Sequence, residues 1–573
     1  MLDRASAYRI LLVSLVGLGV GAVAAVAAIA FVDAVLWLNE LLLVSAYARV
    51  QHDARPWLVA AATVLVPSLG GVVVGLIVQR WVRERRALGP PDAILIAQTR
   101  QPPPTFKSGL ASTAAALVSL GAGASVGQYG PLVYLGTIVG AAVARLERHL
   151  RDLRAIAVAC GVASAIATAF NAPIAGLVFA HEVILRHYSL RAFAPVAVAA
   201  ATGHVVANVV FERPALFRVA FEGVRFGHEF LLFALLGVLC AALAAGFMAL
   251  ILFAGRLAPR TGLPGWLRPA VAGLVLGLVA LELPEVLGIG QETLRFATIE
   301  GAFTMAELAT LVVAKVALTA LCVGFGFVGG VFSPALLIGI LAGALFGMGV
   351  AEVLPAAQSG IVPYAICGMM AVTSPVIGAP LTIILIVFEL TRNYDLTIAA
   401  MVAVVFSNLV AYRIFGRSLF DVQLKGRRFD LSLGRDQAIL GLRRVADFRS
   451  GDFVALDAED RVDTLVRRLK LSGRAEALVT DRDGRYRGLV RLQDVLDAPP
   501  ATRLAELAHA DGVTFDERTS LWEAMTRLRD FIGEAAPLVG ADGRLLGVVP
   551  EGAVIGGYME AVHDLRREEN AGA

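Results

Sequence analysis

Two glycine-rich segments set in apolar sequence carry the residue types and spacing that could do chemistry. Gly121, Gly123, Gly127 and Gly130-Pro131 form one pattern, and Gly324, Gly326, Gly330 and Ser333-Pro334 repeat it 203 residues later. A second pair lies downstream at an offset of 207 residues: Asn171-Ala172-Pro173 with Glu182 beyond it, and Gly378-Ala379-Pro380 with Glu389 beyond it. Such patterns break helices, and a broken helix exposes N–H donors and the positive end of its dipole. A small anion that leaves water needs those donors, without a full charge that would trap it. The chemistry in view is reversible anion binding, not catalysis. Helices beginning at Gly130 and at Val331 or Phe332 can point at one midplane site. Paired Gly/Pro-broken segments in two halves of a membrane chain mark an ion or substrate site at the repeat interface. The competing reading is that the glycines only allow tight helix packing; duplication of the whole pattern speaks against it.

The elements that position these segments must lie in a membrane. The chain has 573 residues, 57% of them hydrophobic and 17% charged, with a mean hydropathy of +0.73. That composition excludes an ordinary soluble protein. Uncharged runs at Ile10–Val32, Trp57–Gln79 and Tyr364–Phe388 are each long enough to cross about 30 Å of hydrocarbon. The first reads as a retained helix and not a cleaved leader, because no small-residue cleavage site follows it. Ser108–Ala144 and Val316–Ala351 are too long for one crossing at about 1.5 Å per residue. Each is expected to form two helices, broken at its glycine pattern. Hydrocarbon tolerates such a break only where protein or a polar cavity covers it.

Net charge is +3. Arg4 and Arg9 precede the first span, Arg80, Arg83, Arg85 and Arg86 follow the second, and Arg413, Arg417, Lys425, Arg427 and Arg428 follow the last. These flanks, and with them both termini, are expected in the cytoplasm. The clusters read as topological anchors; no nucleic acid is expected as a partner. Cys160, Cys240, Cys322 and Cys367 sit in apolar segments without metal-ligand spacing, so neither a disulfide nor a metal is expected.

After a linker at 425–444 the character changes: charges become frequent, and short β-like runs alternate with amphipathic helices. Asp481-Arg482-Asp483-Gly484 and Ala541-Asp542-Gly543 separate apolar runs as hairpin turns do. The order resembles a pair of CBS domains, one module at 445–500 and the second, with the tail, at 501–573. In that family a nucleotide can lie between the modules, with an Asp on its ribose; Asp494 matches that position. Arg491 stands where Ser or Thr is usual, and Pro550 and Ala553 occupy the two places in the second module. A structural pair without nucleotide is therefore expected, with Asp494 as a helix cap.

Gly127-Gln128-Tyr129-Gly130-Pro131, Asn171-Ala172-Pro173, Gly330-Val331-Phe332-Ser333-Pro334 and Ser418-Leu419-Phe420-Asp421 fall in an order and spacing that resembles the CLC family of chloride channels and proton/chloride antiporters. The resemblance spans about Ile10 to Leu424. It implies an all-α polytopic membrane domain (1–424) with an inverted repeat and broken helices, joined to a cytoplasmic α/β tandem CBS domain. It also implies a homodimer in the lipid bilayer, with one chloride pathway per subunit. The amides of Tyr129, Gly130, Val331 and Phe332 would be the anion donors, with positions Leu88 and Phe420 lining the pathway. The chain departs from the family pattern at the decisive places. Tyr129 replaces the gating glutamate, Val183 stands at the inner proton-glutamate position beside Glu182, and Leu88 and Phe420 replace a serine and a tyrosine. A phenol has a reference pKa near 10 and shuttles no protons at neutral pH. Passive anion conduction, with Tyr129 as ligand or gate, is the expectation. The alternatives are a proton-coupled antiporter using Glu182 or water, and a non-conducting sensor. Glu182 itself is expected at a solvated helix end.

Overall fold

The computed structural model describes residues 4–51, 55–99, 104–146, 153–212, 223–299, 301–355, 358–427, 429–431, 434–509, 512–529, 531 and 533–570; Arg428 lies outside them. It divides into two units, one ending at Gln423 and the other beginning at Leu424.

The first unit is built of helices. Its first part holds α1 (Arg4–Leu41), α2 (Ala46–Gln51), α3 (Pro56–Trp81), α4 (Pro90–Gln98), α5 (Phe106–Gly121), α6 (Tyr129–Leu146), α7 (Arg154–Phe170), α8 (Pro173–Phe179) and α9 (Leu190–Val205). The second part holds α10 (Glu229–Arg260), α11 (Arg268–Val279), α12 (Gln291–Phe296), α13 (Met305–Phe325), α14 (Phe332–Val353), α15 (Ile361–Ile377), α16 (Pro380–Thr391), α17 (Tyr394–Ile414) and α18 (Leu419–Gly426). Among the described residues, seven helices are long and apolar enough to cross a membrane.

The two long uncharged runs are broken as their glycines predict, into α5 and α6 and into α13 and α14. Gly123 (φ +78°) and Gly326 (φ +104°) take the left-handed conformation that ends a helix. A correction applies to Tyr364–Phe388, expected as one span. Gly378, at φ +71°, stops α15 and Pro380 opens α16, so the run makes two shorter helices. Asn171 (φ 57°) and Pro173 do the same between α7 and α8, because Asn tolerates the left-handed region better than most side chains.

Glycine also sets how closely the helices pack. A Cβ on Gly161 would lie 2.1 Å from the Gly136 carbonyl oxygen, bringing α7 against α6. One on Gly339 would lie 2.5 Å from the Gly368 carbonyl oxygen, bringing α14 against α15. These pairs stand at the same offsets as the broken loops, so the repeat covers packing as well as loops.

The second unit contains α19 (Arg435–Leu442), α20 (Val462–Ser472), α21 (Leu504–Leu507), α22 (Leu521–Leu528) and α23 (Glu551–Asn570) around two sheets. The strands β1 (Ala455–Asp457), β2 (Glu476–Thr480) and β3 (Tyr486–Arg491) lie in the order β1-β2-β3. The strands β4 (Phe515–Asp516), β5 (Ala535–Val539) and β6 (Leu545–Pro550) repeat that order. In each sheet the first pairing is parallel and the second antiparallel. Gly484 (φ +76°) and Gly543 (φ +82°) turn the hairpins. Leu440 and Val445 pack with Phe515, Leu521 and Val549 in one core, while Leu456, Leu465, Val479 and Val490 form another. The helix expected to begin near Asp494 is only a 3₁₀ turn over Leu492–Val495.

Replacing Gly161 with Val should overpack the α6–α7 contact and destabilise the membrane unit by about 1–3 kcal/mol. Gly349, within α14, has open space where a Cβ would go, so Gly349→Ala should instead stabilise by about 0.5–1 kcal/mol. Thermal unfolding of the detergent-solubilised protein reads both signs.

Candidate anion pathway

The two glycine loops meet. Gly127 N donates to Gly330 O at 2.6 Å, and Gly330 N donates to Gly127 O at 2.6 Å, which makes an antiparallel bridge between the two halves. The pair leaves no backbone polar group of these two glycines without a partner, as a break inside apolar surroundings requires. Immediately beyond the bridge, α6 begins at Tyr129 and α14 at Phe332. Leu132 N donates to Gln128 O, and Ala335 N donates to Val331 O, closing the matching first turns. The opening N–H groups of each helix have no acceptor within their own helix. Gly330 keeps this region open: a Cβ there would stand 2.7 Å from Gly130 N. Gly130 likewise lies against Gly330 and, on its other side, near Pro90 at the start of α4.

Three rings gather where these helices start. Tyr129 stacks on Phe170 with centroids 4.0 Å apart, and Phe332 meets Tyr129 and Phe170 at 5.1 Å each. Phe170 is the last residue of α7, so the Asn171 break joins the same cluster. Tyr129 is only 2% exposed. The packed rings thus cover the start of α6.

The second pair of breaks is tied by its glutamates, each reaching across to the other helix. Glu182 accepts from Leu381 N (3.0 Å), Thr382 N (2.9 Å) and Thr382 Oγ1 (2.6 Å) at the start of α16. Glu389 accepts from Ile174 N (2.9 Å) and Ala175 N (2.7 Å) at the start of α8. Each carboxylate caps the other's helix, where the dipole also favours negative charge. Glu182 is half-buried near a helix end, as expected, and has in addition this capping role. The pattern shows the glutamate but not its partner, which is 199 residues away.

The remaining positions are placed as follows. Val183 is buried in a π-helical turn, Ala180–Leu185, that continues α8. Leu88 is buried and its N–H donates to Ser112 Oγ. Next to it, Asp92 accepts from Gly89 N (3.0 Å) and pairs with Arg86 (2.7 Å), so the α4 N-terminus carries its own cap. Arg86 has that structural role in addition to its place in a basic flank. Phe420 is buried at the start of α18, where Ser418 packs on Gly378 and Asp421 pairs with Arg186 at 2.8 Å. Phe420 therefore belongs with the fourth break, while Tyr129, Gly130, Phe332 and the α4 start belong with the first and third. In the second unit, Asp494 Oδ2 accepts from Arg491 N at 2.9 Å and caps its own turn.

One charged residue escaped the reading of the sequence. Lys315, in α13, is 1% exposed and is the only buried lysine or arginine among the described residues. Its Nζ donates to Val286 O (2.8 Å) and Gly288 O (2.9 Å). Gly288 N in turn donates to Gly123 O in the first loop, and Thr319, one turn along α13, meets Ser125 of that loop at 2.9 Å. A lone lysine in a long apolar helix is a functional suspect, and that signal was present in the sequence. Gly288 also lines a cavity of about 880 Å³ that includes Asn39, Arg49, Glu285 and Phe296.

If the crossed caps hold the two halves, Glu182→Ala and Glu389→Ala should each destabilise by about 0.5–2 kcal/mol, the scale of a lost helix cap, because half-exposed opening N–H groups lose their acceptors. Glu182→Gln, which keeps an acceptor oxygen, should lose less. Unfolding midpoints of the three variants check the order.

Comparison with known proteins agrees with this geometry. The model of the voltage gated chloride channel family matches residues 70–412, and the CBS domain model matches residues 445–501. A ClcB-like chloride channel protein of Ralstonia nicotianae is 32% identical over 384 residues, covering 66% of this chain and 88% of the relative. The H(+)/Cl(-) exchange transporter ClcA of Cronobacter sakazakii is 30% identical over 437 residues, covering 74% and 90%. Among solved structures, a slow cyanobacterial Cl-/H+ antiporter superposes with a TM-score of 0.66 at 23% identity, over 72% of this chain and 97% of that one. A eukaryotic CLC transporter gives 0.62 at 19% identity, over 94% and 97%. The family model alone spans more than half of the sequence. On that match and on the paired helix breaks, this integral, multi-pass membrane protein with a C-terminal CBS domain belongs to the voltage gated chloride channel family.

Proposed function

We propose that the protein conducts chloride, or a similar small anion, passively across the bilayer without stoichiometric proton transport. The donors are the opening amides of α6 and α14, at Tyr129, Gly130, Val331 and Phe332, with Leu88 and Phe420 along the route. Tyr129 acts as gate, its ring moving off Phe170 and Phe332 to admit the ion. The observation that carries this reading is the absence of a free acid at either proton-handling position. Tyr129 stands at one and Val183 at the other, and neighbouring Glu182 is engaged by three donors on α16. Before Glu182 could hand a proton on, it would have to let go of these three donors.

The similarity to exchange transporters favours one second reading, a proton-coupled antiporter. It requires Glu182 to leave α16, or water to replace both glutamates. Lys315 supports the anion reading. Its Nζ, held by two carbonyl oxygens, stands one helical turn from the Thr319–Ser125 contact with the first loop, and in its protonated form it raises the local potential for anions. The basic flanks support cytoplasmic termini. A homodimer with one pathway per subunit follows from family membership, and the CBS pair serves as a structural module without nucleotide, since Asp494 is occupied as a cap.

Liposomes containing the purified protein, with chloride and pH followed together, test the proposal. Chloride efflux without proton movement is expected, and uphill proton movement driven by a chloride gradient would refute it. Tyr129→Ala should raise the flux by removing the ring; unchanged flux and selectivity would remove Tyr129 from the mechanism. Lys315→Met should lower chloride flux by about tenfold, and Lys315→Arg should retain more of it, in the same assay.

A further inference from the structure

Two polar side-chain atoms beside the Gly127–Gly330 bridge have no hydrogen-bond partner, and one of them can donate. Ser333, the second residue of α14, is 3% exposed, and its Oγ has no hydrogen-bond partner. Its direction is fixed by its neighbours. A Cβ placed on Gly127 would stand 2.9 Å from Ser333 Oγ and 2.9 Å from Gly330 O. The hydroxyl therefore lies between the two loops and not toward lipid or along its own helix.

Thr105, Ser189 and Thr304, each at the capping position before α5, α9 and α13, accept from the backbone of their helices. Ser333 lies two residues past the cap of α14, and its hydroxyl has no partner there. A buried hydroxyl without a partner is destabilising, and alanine would fill the same space without that penalty. It sits in the first turn of α14 and against Gly127, two residues before α6 begins, and the opening N–H groups of both helices are donors in want of an acceptor. A cation would be repelled by those N–H dipoles, whereas an anion can accept from the hydroxyl and the amides together. The other unpartnered atom on these loops, Gln128 Oε1, is an acceptor and offers a halide nothing.

We infer that Ser333 Oγ is a side-chain donor to the permeant anion, supplying a hydroxyl in a pathway where Leu88 and Phe420 supply none. This rests on reading the two loops as the anion route. A hydroxyl donor favours the smaller, more strongly accepting ion. Ser333 therefore sets the preference for chloride over larger, weakly hydrated anions such as nitrate.

The test compares wild type, Ser333→Ala and Ser333→Thr as full chains in liposomes, measuring chloride and nitrate flux. Thermal unfolding in detergent, in chloride and in gluconate, is measured alongside. Ser333→Ala should lower the chloride-to-nitrate ratio by about tenfold, the scale of a lost hydrogen bond to a charge. It should also shrink the stabilisation by chloride. Ser333→Thr, which keeps the hydroxyl, should retain the wild-type ratio. An unchanged ratio and unchanged chloride dependence in Ser333→Ala, with a raised unfolding midpoint, would show a merely wasted hydroxyl and overturn the inference. If Ser333→Ala does not reconstitute, Ser333→Thr with a nitrate-preferring ratio would overturn it equally. Absence of chloride flux in the wild type would instead refute the proposed function.

Discussion

Interrupting a helix inside hydrocarbon leaves N–H and C=O groups that water cannot satisfy, and this membrane unit is organised around resolving that problem. The answer at its centre is an exchange: Gly127 and Gly330 each give the other a donor and an acceptor. The bridge needs both residues to be glycine, because a Cβ on either would press on the opposite loop. Once it is closed, two helices start side by side with their opening N–H groups unclaimed. Donors left available in this way are what the proposed anion route would use.

The same exchange recurs one layer out, with carboxylates in place of backbone. Glu182 caps α16 and Glu389 caps α8, so the halves are locked by contacts that swap partners under the repeat. That relation separates two uses of an acid in a membrane protein. A glutamate held by several N–H groups stabilises structure, whereas a proton carrier must be free to gain and lose its charge. Residue type and depth are the same in both cases; only the partners differ. Here both acids hold backbone donors of the opposite helix, and the start of α6 is covered by aromatic rings.

The glycine and proline punctuation made much of the architecture legible, because the left-handed conformation and a missing N–H are properties of single residues. The breaks at Gly123 and Gly326 and the hairpin glycines of the second unit followed from local rules, while the order of elements around those hairpins came from the resemblance to CBS domains. What escaped depended on partners far away in the chain. Glu182 was legible as a helix-end residue, but nothing near it in the chain shows that α16 begins beside it. Tyr364–Phe388 looked like one crossing because its apolar length outweighed Gly378, although the paired Asn171 break argued for the same stop. Lys315 was readable as a charge in an apolar helix, but its ties to Val286 and Gly288 were not. Arg86 passed for a topological marker until Asp92 appeared opposite it.

The account stands on an anion held by the opening amides of α6 and α14. The most direct measurement is a structure of the protein grown with bromide, using the anomalous signal of that ion. A peak within hydrogen-bond reach of the Tyr129, Gly130 or Phe332 N–H groups is the predicted result. Bromide bound elsewhere in the membrane unit, with that position empty at saturating concentration, would contradict it.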